Sequence, residues 1–146
     1  MQTTVKIGEL AKRTGCPIET IRYYEHEGLL PAPARSDGNY RLYTGQHVER
    51  LSFIRRCRSL DMTLDEIRVL LRFHDAPDAD CEAVNALLDT HIGQVTARID
   101  ELQRLQQQLR ALRGLCGASR QARDCGILNS LSQPRTDGVR GGQSGL

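Results

Sequence analysis

The segment 81–125 constrains the fold of this chain most, because it carries a heptad-like apolar pattern over most of its length. The apolar residues recur in alternating steps of four and three, with one interruption at Gln106. This is the a/d pattern of a coiled-coil helix. Gly93 is its one weak helix former before Gly114. The apolar seam comprises Leu88, Ile92, Val95, Ile99, Leu102 and Leu109, and Leu105 and Leu112 widen it.

Cysteines flank this pattern at both ends. Cys81 and Cys116 are 35 residues apart, which is five heptads, so both lie on the seam face. A continuous helix at 1.5 Å per residue separates them by about 50 Å, so they cannot share a ligand within one chain. In an antiparallel helix pair, Cys81 of one chain meets Cys116 of the other. Cys125 can fold back to the same place, which gives three thiols at each end of a dimer.

Three converging thiols suit a soft metal ion. Two other interpretations stay open at this point: a plain dimerisation helix with incidental cysteines, and a thiol-redox sensor in which Cys81 reacts with oxidants near a helix N-terminus. An iron–sulfur cluster would need four clustered cysteines, which the sequence does not offer. The sequence shows no acid/base pair or nucleophile arrangement, so we expect no enzyme activity.

The overall charge is nearly neutral, with 20 basic and 18 acidic residues, and charge alone therefore does not indicate a nucleic-acid partner. Basic residues do crowd one short segment, where the alternative is a solvated helix face. With five cysteines, no apolar leader-like segment and no run of about 20 apolar residues, we expect reduced thiols, a cytoplasmic protein and no membrane partner. The crowded residues are Arg50, Arg55, Arg56 and Arg58.

Residues 5–15 and 17–30 predict two short helices, ended by Gly15 and Gly28. Pro17 suits the first position of the second helix. Two short helices joined by a tight turn indicate a helix-turn-helix, although an ordinary helical hairpin fits the same pattern. The residues expected on or near the outer face of the second helix are Glu19, Thr20, Arg22, Tyr23 and Tyr24.

Turn residues dominate 31–43, where SDGN lies between AR and YRLY and predicts a small hairpin, or wing. Thr44 is the expected N-cap of the next helix. Thr63 and Glu66 predict a capping box at the start of another helix, and Asp80 is expected to cap the long helix. The residues expected to face inward from the helix after Thr44 are Val48, Leu51, Ile54 and Leu60.

Three stretches together resemble the MerR family of transcription regulators. They are KIGELAKRTGCPIETIRYYEHEGLLP, RSDGNYRLY and HVERLSFIRRCRSLDMTLDEIRVLL. The long helix and the three cysteines extend the resemblance to about residue 131. Within the family, CRSLDMTLDEIR and CEAVNALLDTHIGQVTARIDEL are most similar to the cadmium- and lead-responsive, CadR- and PbrR-like branch.

This resemblance implies a mainly α fold, with an N-terminal winged helix-turn-helix and a long C-terminal helix that forms an antiparallel coiled-coil homodimer. The tail is rich in Gly, Ser and Pro and has little to bury, so we expect disorder there. The expected organisation is a DNA-binding domain over 1–75, a hinge over 76–80, a dimerisation helix over 81–116, a metal-binding loop and short helix over 117–131, and a disordered tail over 132–146.

The resemblance also implies a repressor that becomes an activator of heavy-metal resistance genes. Such dimers bind promoter double-stranded DNA whose two elements are too far apart for RNA polymerase, and metal binding bends and untwists the DNA to realign them. The positions that match the family's DNA contacts are Arg22, Tyr24, Arg35, Tyr40 and Arg41, with Arg55 as a further backbone contact. The positions that match its metal ligands, shared between the two chains, are Cys81, Cys116 and Cys125.

The residues around the cysteines, DADCEAVNALLDTHI, resemble the lead and cadmium branch more than the mercury branch, which shares the same cysteine steps of 35 and 9 residues. We therefore expect Pb(II) or Cd(II) as effector, with weaker induction by Zn(II) and none by copper, and a Hg(II) regulator as the alternative. The tail lacks the histidine cluster and the extra cysteines of some relatives, so we expect no second metal site there. Cys16 and Cys57 are expected to be buried structural thiols, and no histidine, including His91, is assigned to metal.

Overall fold

The computed structural model describes residues 3–119 and 121–134, which form a mainly helical chain. Its contacts divide it into two compact units, Met1–His91 and Ile92–Leu146. None of its described helices is both long enough and apolar enough to cross a membrane. In chain order the described elements are α1 (Ile7–Thr14), α2 (Ile18–His26), β1 (Ala34–Arg35), β2 (Arg41–Leu42), α3 (Gly45–Ser59), α4 (Leu64–His74), α5 (Glu82–Arg113), a 3₁₀ turn (Ala122–Asp124) and α6 (Gly126–Ser132).

The first two helices form the predicted helix-turn-helix, in a slightly shorter form. Gly15 has a φ of +70° and ends α1, where its N–H donates to the Ala11 carbonyl at 2.8 Å. Gly28, with a φ of +76°, follows the end of α2. Both angles lie in the left-handed region that glycine adopts without a steric penalty. The sequence had suggested Pro17 as the first helical residue of α2. In the structure Pro17 is instead the N-cap residue, and the helix begins at Ile18.

The wing is the predicted hairpin. Ala34 pairs with Leu42 and Arg35 pairs with Arg41 in an antiparallel register. Asn39 closes the turn with a φ of +67°, which asparagine tolerates better than most residues. A contact distant in sequence joins the wing to the start of the chain, because the backbones of Val5 and Tyr43 exchange two hydrogen bonds of 2.8 Å. Val5 therefore lies outside α1, although the sequence had predicted that the first helix begins at residue 5.

Local capping fixes where α4 and α5 begin. The Thr63 hydroxyl accepts from the Glu66 N–H at 3.1 Å, and the Glu66 carboxylate accepts from the Thr63 N–H at 2.8 Å, as predicted. The Asp80 carboxylate accepts from the Glu82 N–H at 3.0 Å, which confirms its predicted capping of the long helix.

The core of the first unit lies between α1, α2, α3, α4 and the wing. Leu51 and Ile54 face inward as predicted, and Val48 is partly buried against the core. The prediction for Leu60 is wrong: its side chain is 47% exposed, because α3 ends at Ser59 and Leu60 lies in the turn that follows. The most deeply buried side chains are Leu10, Ile21, Leu29, Tyr43, Leu51, Ile54 and Ile67.

The long helix α5 runs without interruption from Glu82 to Arg113 and leaves its apolar seam exposed. Seam residues such as Ile92 and Leu109 are more than half exposed. Such a row of large apolar side chains along one helix is typical of a surface that pairs with another helix. The disorder predicted for the tail concerns mostly residues 135–146, which lie outside the described residues, whereas Ser132 belongs to α6.

Candidate DNA-binding surface and metal ligands

A groove between the start of α1, the middle of α2 and the wing gathers four of the six residues predicted to contact DNA. We call this surface the basic groove. Four of its side chains are cationic and none of its lining side chains is acidic, which favours the binding of phosphate. The residues that line it are Lys6, Ile7, Arg22, Arg35, Asn39, Tyr40 and Arg41.

The side chains of the basic groove are held by contacts across the wing. Arg35 donates from Nη1 to the Asn39 carbonyl at 3.1 Å, which directs it along the hairpin turn. The Lys6 Nζ lies 4.4 Å from the centre of the Tyr40 ring, a cation–π contact. Sequence reasoning missed Lys6. Nothing in its local sequence marks it, since the pairing of Val5 with Tyr43 is what brings it to the wing.

The expected placement of Tyr24 on the outer face of α2 is wrong. Its side chain is 7% exposed and belongs to the core, because position 24 follows the buried Ile21 by three residues and shares its face of the helix. Burial also raises the pKa of Tyr24 above its ordinary value. Tyr23 is 50% exposed and is the tyrosine of this helix that is available to a partner.

Arg55 lies apart from the residues that line the basic groove. Its Nη1 donates to the carbonyl of Thr14, so the side chain of Arg55 reaches from α3 to the last residue of α1. This contact fixes Arg55 beside the helix-turn-helix while the residue as a whole stays exposed. Its contact with the DNA backbone stays a prediction.

The acid Glu25 on α2 contacts the wing. Its carboxylate accepts a hydrogen bond from the hydroxyl of Tyr43, and its other oxygen lies 3.5 Å from Nε of Arg41. Burial raises the pKa of Tyr43 far above its ordinary value, and the hydrogen bond to Glu25 raises it further. Tyr43 therefore stays a neutral donor to this carboxylate at physiological pH.

The three predicted metal ligands occupy ends of helices. Cys81 is exposed and precedes α5, where its carbonyl accepts from the N–H groups of Val84 and Asn85 at 3.0 and 3.1 Å. Cys116 is half-buried after the end of α5, and its thiol donates to the Ala118 carbonyl at 3.2 Å. Cys81 belongs to the first compact unit and Cys116 to the second.

Cys125 is half-buried and immediately precedes α6. The chain folds back at this point, because a Cβ on Gly126 would lie 2.5 Å from the carbonyl oxygen of Leu115. Glycine at position 126 thus lets the backbone beside Cys125 return to the backbone beside Cys116. Among residues 3–119 and 121–134 of a single chain, no three His, Cys, Asp or Glu side chains are arranged to hold a metal ion.

Cys16 and Cys57 are buried in the first unit, which confirms their predicted place in the core. Burial raises the pKa of both thiols. His91 is also buried: its Nε2 lies 2.8 Å from the Leu60 carbonyl and its Nδ1 lies 3.2 Å from the Glu66 carboxylate.

Comparison with known proteins assigns this fold to a family. The model of the MerR helix-turn-helix family regulatory proteins matches residues 5–73, and the model described as MerR, DNA binding matches residues 48–112. Together these matches cover most of the chain. The chain belongs to the MerR family. MerR-family members are DNA-binding transcription regulators and not enzymes, which confirms the predicted class and the mainly helical fold.

Among MerR-family structures, the transcription regulator PbrR691 from Ralstonia metallidurans CH34 in complex with lead(II) is 55% identical, with a TM-score of 0.80 over 88% of this chain and 99% of that one. MerR from Bacillus megaterium MB1 in complex with mercury(II) is 34% identical, with a TM-score of 0.69 over 88% of this chain and 100% of that one. The HTH-type transcriptional regulator ZntR homolog from Haemophilus influenzae is 50% identical over 109 residues, which is 75% of this chain and 81% of the relative. These similarities fit the metal-responsive branch of the family.

Proposed function

We propose that this chain is a dimeric, metal-responsive regulator that represses and then activates a promoter for heavy-metal resistance. The observation that carries the proposal is the presence of two separate sets of residues on one MerR fold. The basic groove offers cations to DNA, and three cysteines lie at helix ends on or near the surface. We assign metal binding to Cys81, Cys116 and Cys125.

The donor set fits a soft metal ion. All three cysteine side chains are exposed or half-buried, so a metal ion can reach their sulfurs from solvent. Thiolates prefer soft and borderline ions, and a set of three thiolates suits Pb(II). The similarity to a lead(II)-bound relative supports the same ion, and we propose Pb(II) or Cd(II) as effector, with Zn(II) weaker and copper ineffective. A Hg(II) regulator is the second candidate, supported by the similarity to a mercury(II)-bound MerR.

The exposed apolar seam of α5 supports a homodimer joined by an antiparallel coiled coil. In that pairing each metal site takes Cys81 from one chain and Cys116 with Cys125 from the other. The proposed organisation is a DNA-binding domain over 1–75, a hinge over 76–80, a dimerisation helix over 81–116 and a metal-binding loop with a short helix over 117–131.

On promoter DNA, the positively charged groove supplies phosphate contacts that fix the register of the protein. We propose Arg22, Arg35, Tyr40 and Arg41 for this surface, with Arg55 as a further backbone contact and with Tyr23 in the place first given to Tyr24. Distorting the DNA costs a few kcal/mol, and metal binding stabilises the dimer conformation that imposes this distortion. The distorted promoter is then recognised by RNA polymerase in the cytoplasm.

A reporter assay on the promoter that this regulator controls tests the ion, with Pb(II), Cd(II), Zn(II), Hg(II) and copper added separately. We expect strong induction by lead and cadmium, weaker induction by zinc and none by copper. A chain with all three cysteines changed to serine is the control and should bind the promoter without responding to any ion. Strong induction by mercury with no response to lead or cadmium would overturn the assignment of the ion.

A further inference from the structure

We propose that Glu25 is a positioning residue for DNA recognition, which holds the wing side chain Arg41 in the orientation that contacts DNA. This inference rests on the proposed function, because it assumes that the basic groove beside Glu25 binds DNA. A carboxylate beside a DNA-binding surface repels phosphate unless it serves another purpose. Its contacts to Tyr43 and Arg41 supply that purpose.

Tyr43 gives Glu25 a rigid anchor. The Tyr43 side chain is fully buried, and its backbone is fixed by two hydrogen bonds of 2.8 Å to Val5. Its ring packs edge-on against the ring of His47, with 5.1 Å between the ring centres. The backbone and the ring of Tyr43 are therefore fixed, and the Glu25 carboxylate that accepts from its hydroxyl is held with them.

The same carboxylate reaches outward to Arg41. Its Oε1 lies 3.5 Å from the Arg41 Nε, which is an ion-pair distance, so the carboxylate acts on the guanidinium mainly through its charge. The Glu25 side chain is 14% exposed and that of Arg41 is 40% exposed. The acid is therefore mostly buried, and the arginine that it contacts lies at the surface. Because a guanidinium is planar and rigid, holding Nε near the acid limits its orientation and leaves the Nη donors for DNA.

The register of the wing gives a second reason for this acid. Arg35 and Arg41 are direct cross-strand partners, and like charges in that position repel each other. Glu25 lines a cleft together with both arginines, where its negative charge offsets the repulsion. The wing can therefore present two cations close together in the free protein. Without the acid, we expect Arg41 to turn away from Arg35 and to lose its fixed orientation.

Glu25→Gln tests the role of the charge, because the amide oxygen can still accept from Tyr43. The matched control is Glu27→Gln, which removes the same charge at the end of α2, where Glu27 pairs with Arg68 at 2.7 Å. The full-length dimer is titrated with a duplex that the wild-type chain selects from a random library and with a scrambled duplex. We expect Glu25→Gln to bind the selected duplex about ten-fold more weakly, and the control to match the wild type.

A double-mutant cycle with Arg41→Ala separates positioning from a structural role. If Glu25 acts through Arg41, Glu25→Gln has no further effect on Arg41→Ala, and both lower the dependence of affinity on salt. Tyr43→Phe keeps the acid but removes its anchor, and it should weaken binding in the same direction. Thermal unfolding and dimerisation are measured for every variant.

Three outcomes would overturn the inference: equal affinities of Glu25→Gln and its control, additive losses in the cycle, or loss of the folded dimer in both Glu25→Gln and Tyr43→Phe. A different outcome concerns the proposed function itself. If Arg41→Ala binds the selected duplex as tightly as the wild type, then the basic groove is not the DNA-binding surface. The behaviour of Arg41→Ala thus distinguishes the two failures.

Discussion

Tyr23 and Tyr24 are neighbours in sequence with opposite environments, and their variants should fail in different ways. Tyr23→Phe removes one exposed hydroxyl, so we expect a loss of DNA affinity of about two- to ten-fold with unchanged stability. Tyr24→Ala opens a cavity in the core and should lower the free energy of unfolding by about 3 kcal/mol. Titration of DNA and urea denaturation measure the two effects. A stable Tyr24→Ala that binds DNA poorly would restore the surface role first given to Tyr24.

The five cysteines should divide into two classes by their reactivity. Burial raises the pKa of Cys16 and Cys57, so a smaller fraction of each is thiolate at a given pH. Burial also shields both sulfurs from reagents in solution. At pH 8 we expect iodoacetamide to label the three proposed metal ligands first and the two core thiols only after denaturation. Mass spectrometry of the labelled peptides measures the order. Rapid labelling of Cys16 in the folded dimer would contradict its place in the core.

Some residues of the site were predictable because their signals are local. The turn chemistry of SDGN, the left-handed glycines and the capping box each depend on a few adjacent residues, and each appears where the sequence places it. The Tyr43–Glu25 hydrogen bond joins residues 18 positions apart, and no periodic pattern encodes it. The burial of Tyr24 was missed for a related reason, since the face of a short helix that packs inward depends on its partners.

At the scale of elements, His91 attaches the beginning of α5 to the turn between α3 and α4. Its ring bridges the Leu60 carbonyl and the carboxylate of Glu66, which also caps α4. The N-terminal part of α5 is therefore fixed to the DNA-binding domain by one buried side chain within the first compact unit. This contact was not predictable from spacing, because Leu60 lies 31 residues before His91.

This contact predicts a pH dependence of stability. The hydrogen bond to the Leu60 carbonyl raises the pKa of His91, and the negative charges of Glu66 on α4 and Asp61 in the turn raise it further. A raised pKa means that the charged histidine stabilises the folded state fully below its ordinary pKa of 6.5, and that this stabilisation is lost as pH rises through the higher folded value. We expect the wild type to lose stability over that range and His91→Gln to lose less.

Urea denaturation of both proteins at a series of pH values measures the difference, with His26→Gln as a control, because His26 is exposed at the end of α2. The control should retain the wild-type pH dependence. If His91→Gln shows the same pH dependence as the wild type, then the ring of His91 does not carry the charge that we assign to it.

At the scale of the whole molecule, the proposed antiparallel dimer leads to a prediction that can be tested only with two different chains. When each metal site takes Cys81 from one chain and Cys116 with Cys125 from the other, a Cys81→Ser homodimer and a Cys116→Ser homodimer both lack a complete site at either end. Mixing the two variants creates heterodimers. One end of each has lost both Cys81 and Cys116, whereas the opposite end retains both, and Cys125 completes it.

Random exchange makes about half of the mixed dimers heterodimers, so the mixture should hold roughly a quarter of the wild-type number of three-thiolate sites. The two variants are first unfolded and refolded together so that their chains exchange. The three-thiolate sites are then counted by titration with lead, followed by the near-ultraviolet absorbance of lead–thiolate bonds. A mixture of Cys81→Ser with Cys81→Ser/Cys116→Ser chains is the control and should recover none, because no chain in it supplies Cys81. Absence of sites from the first mixture would refute the shared arrangement, and a three-thiolate site in either homodimer would show that the third sulfur comes from elsewhere in the chain.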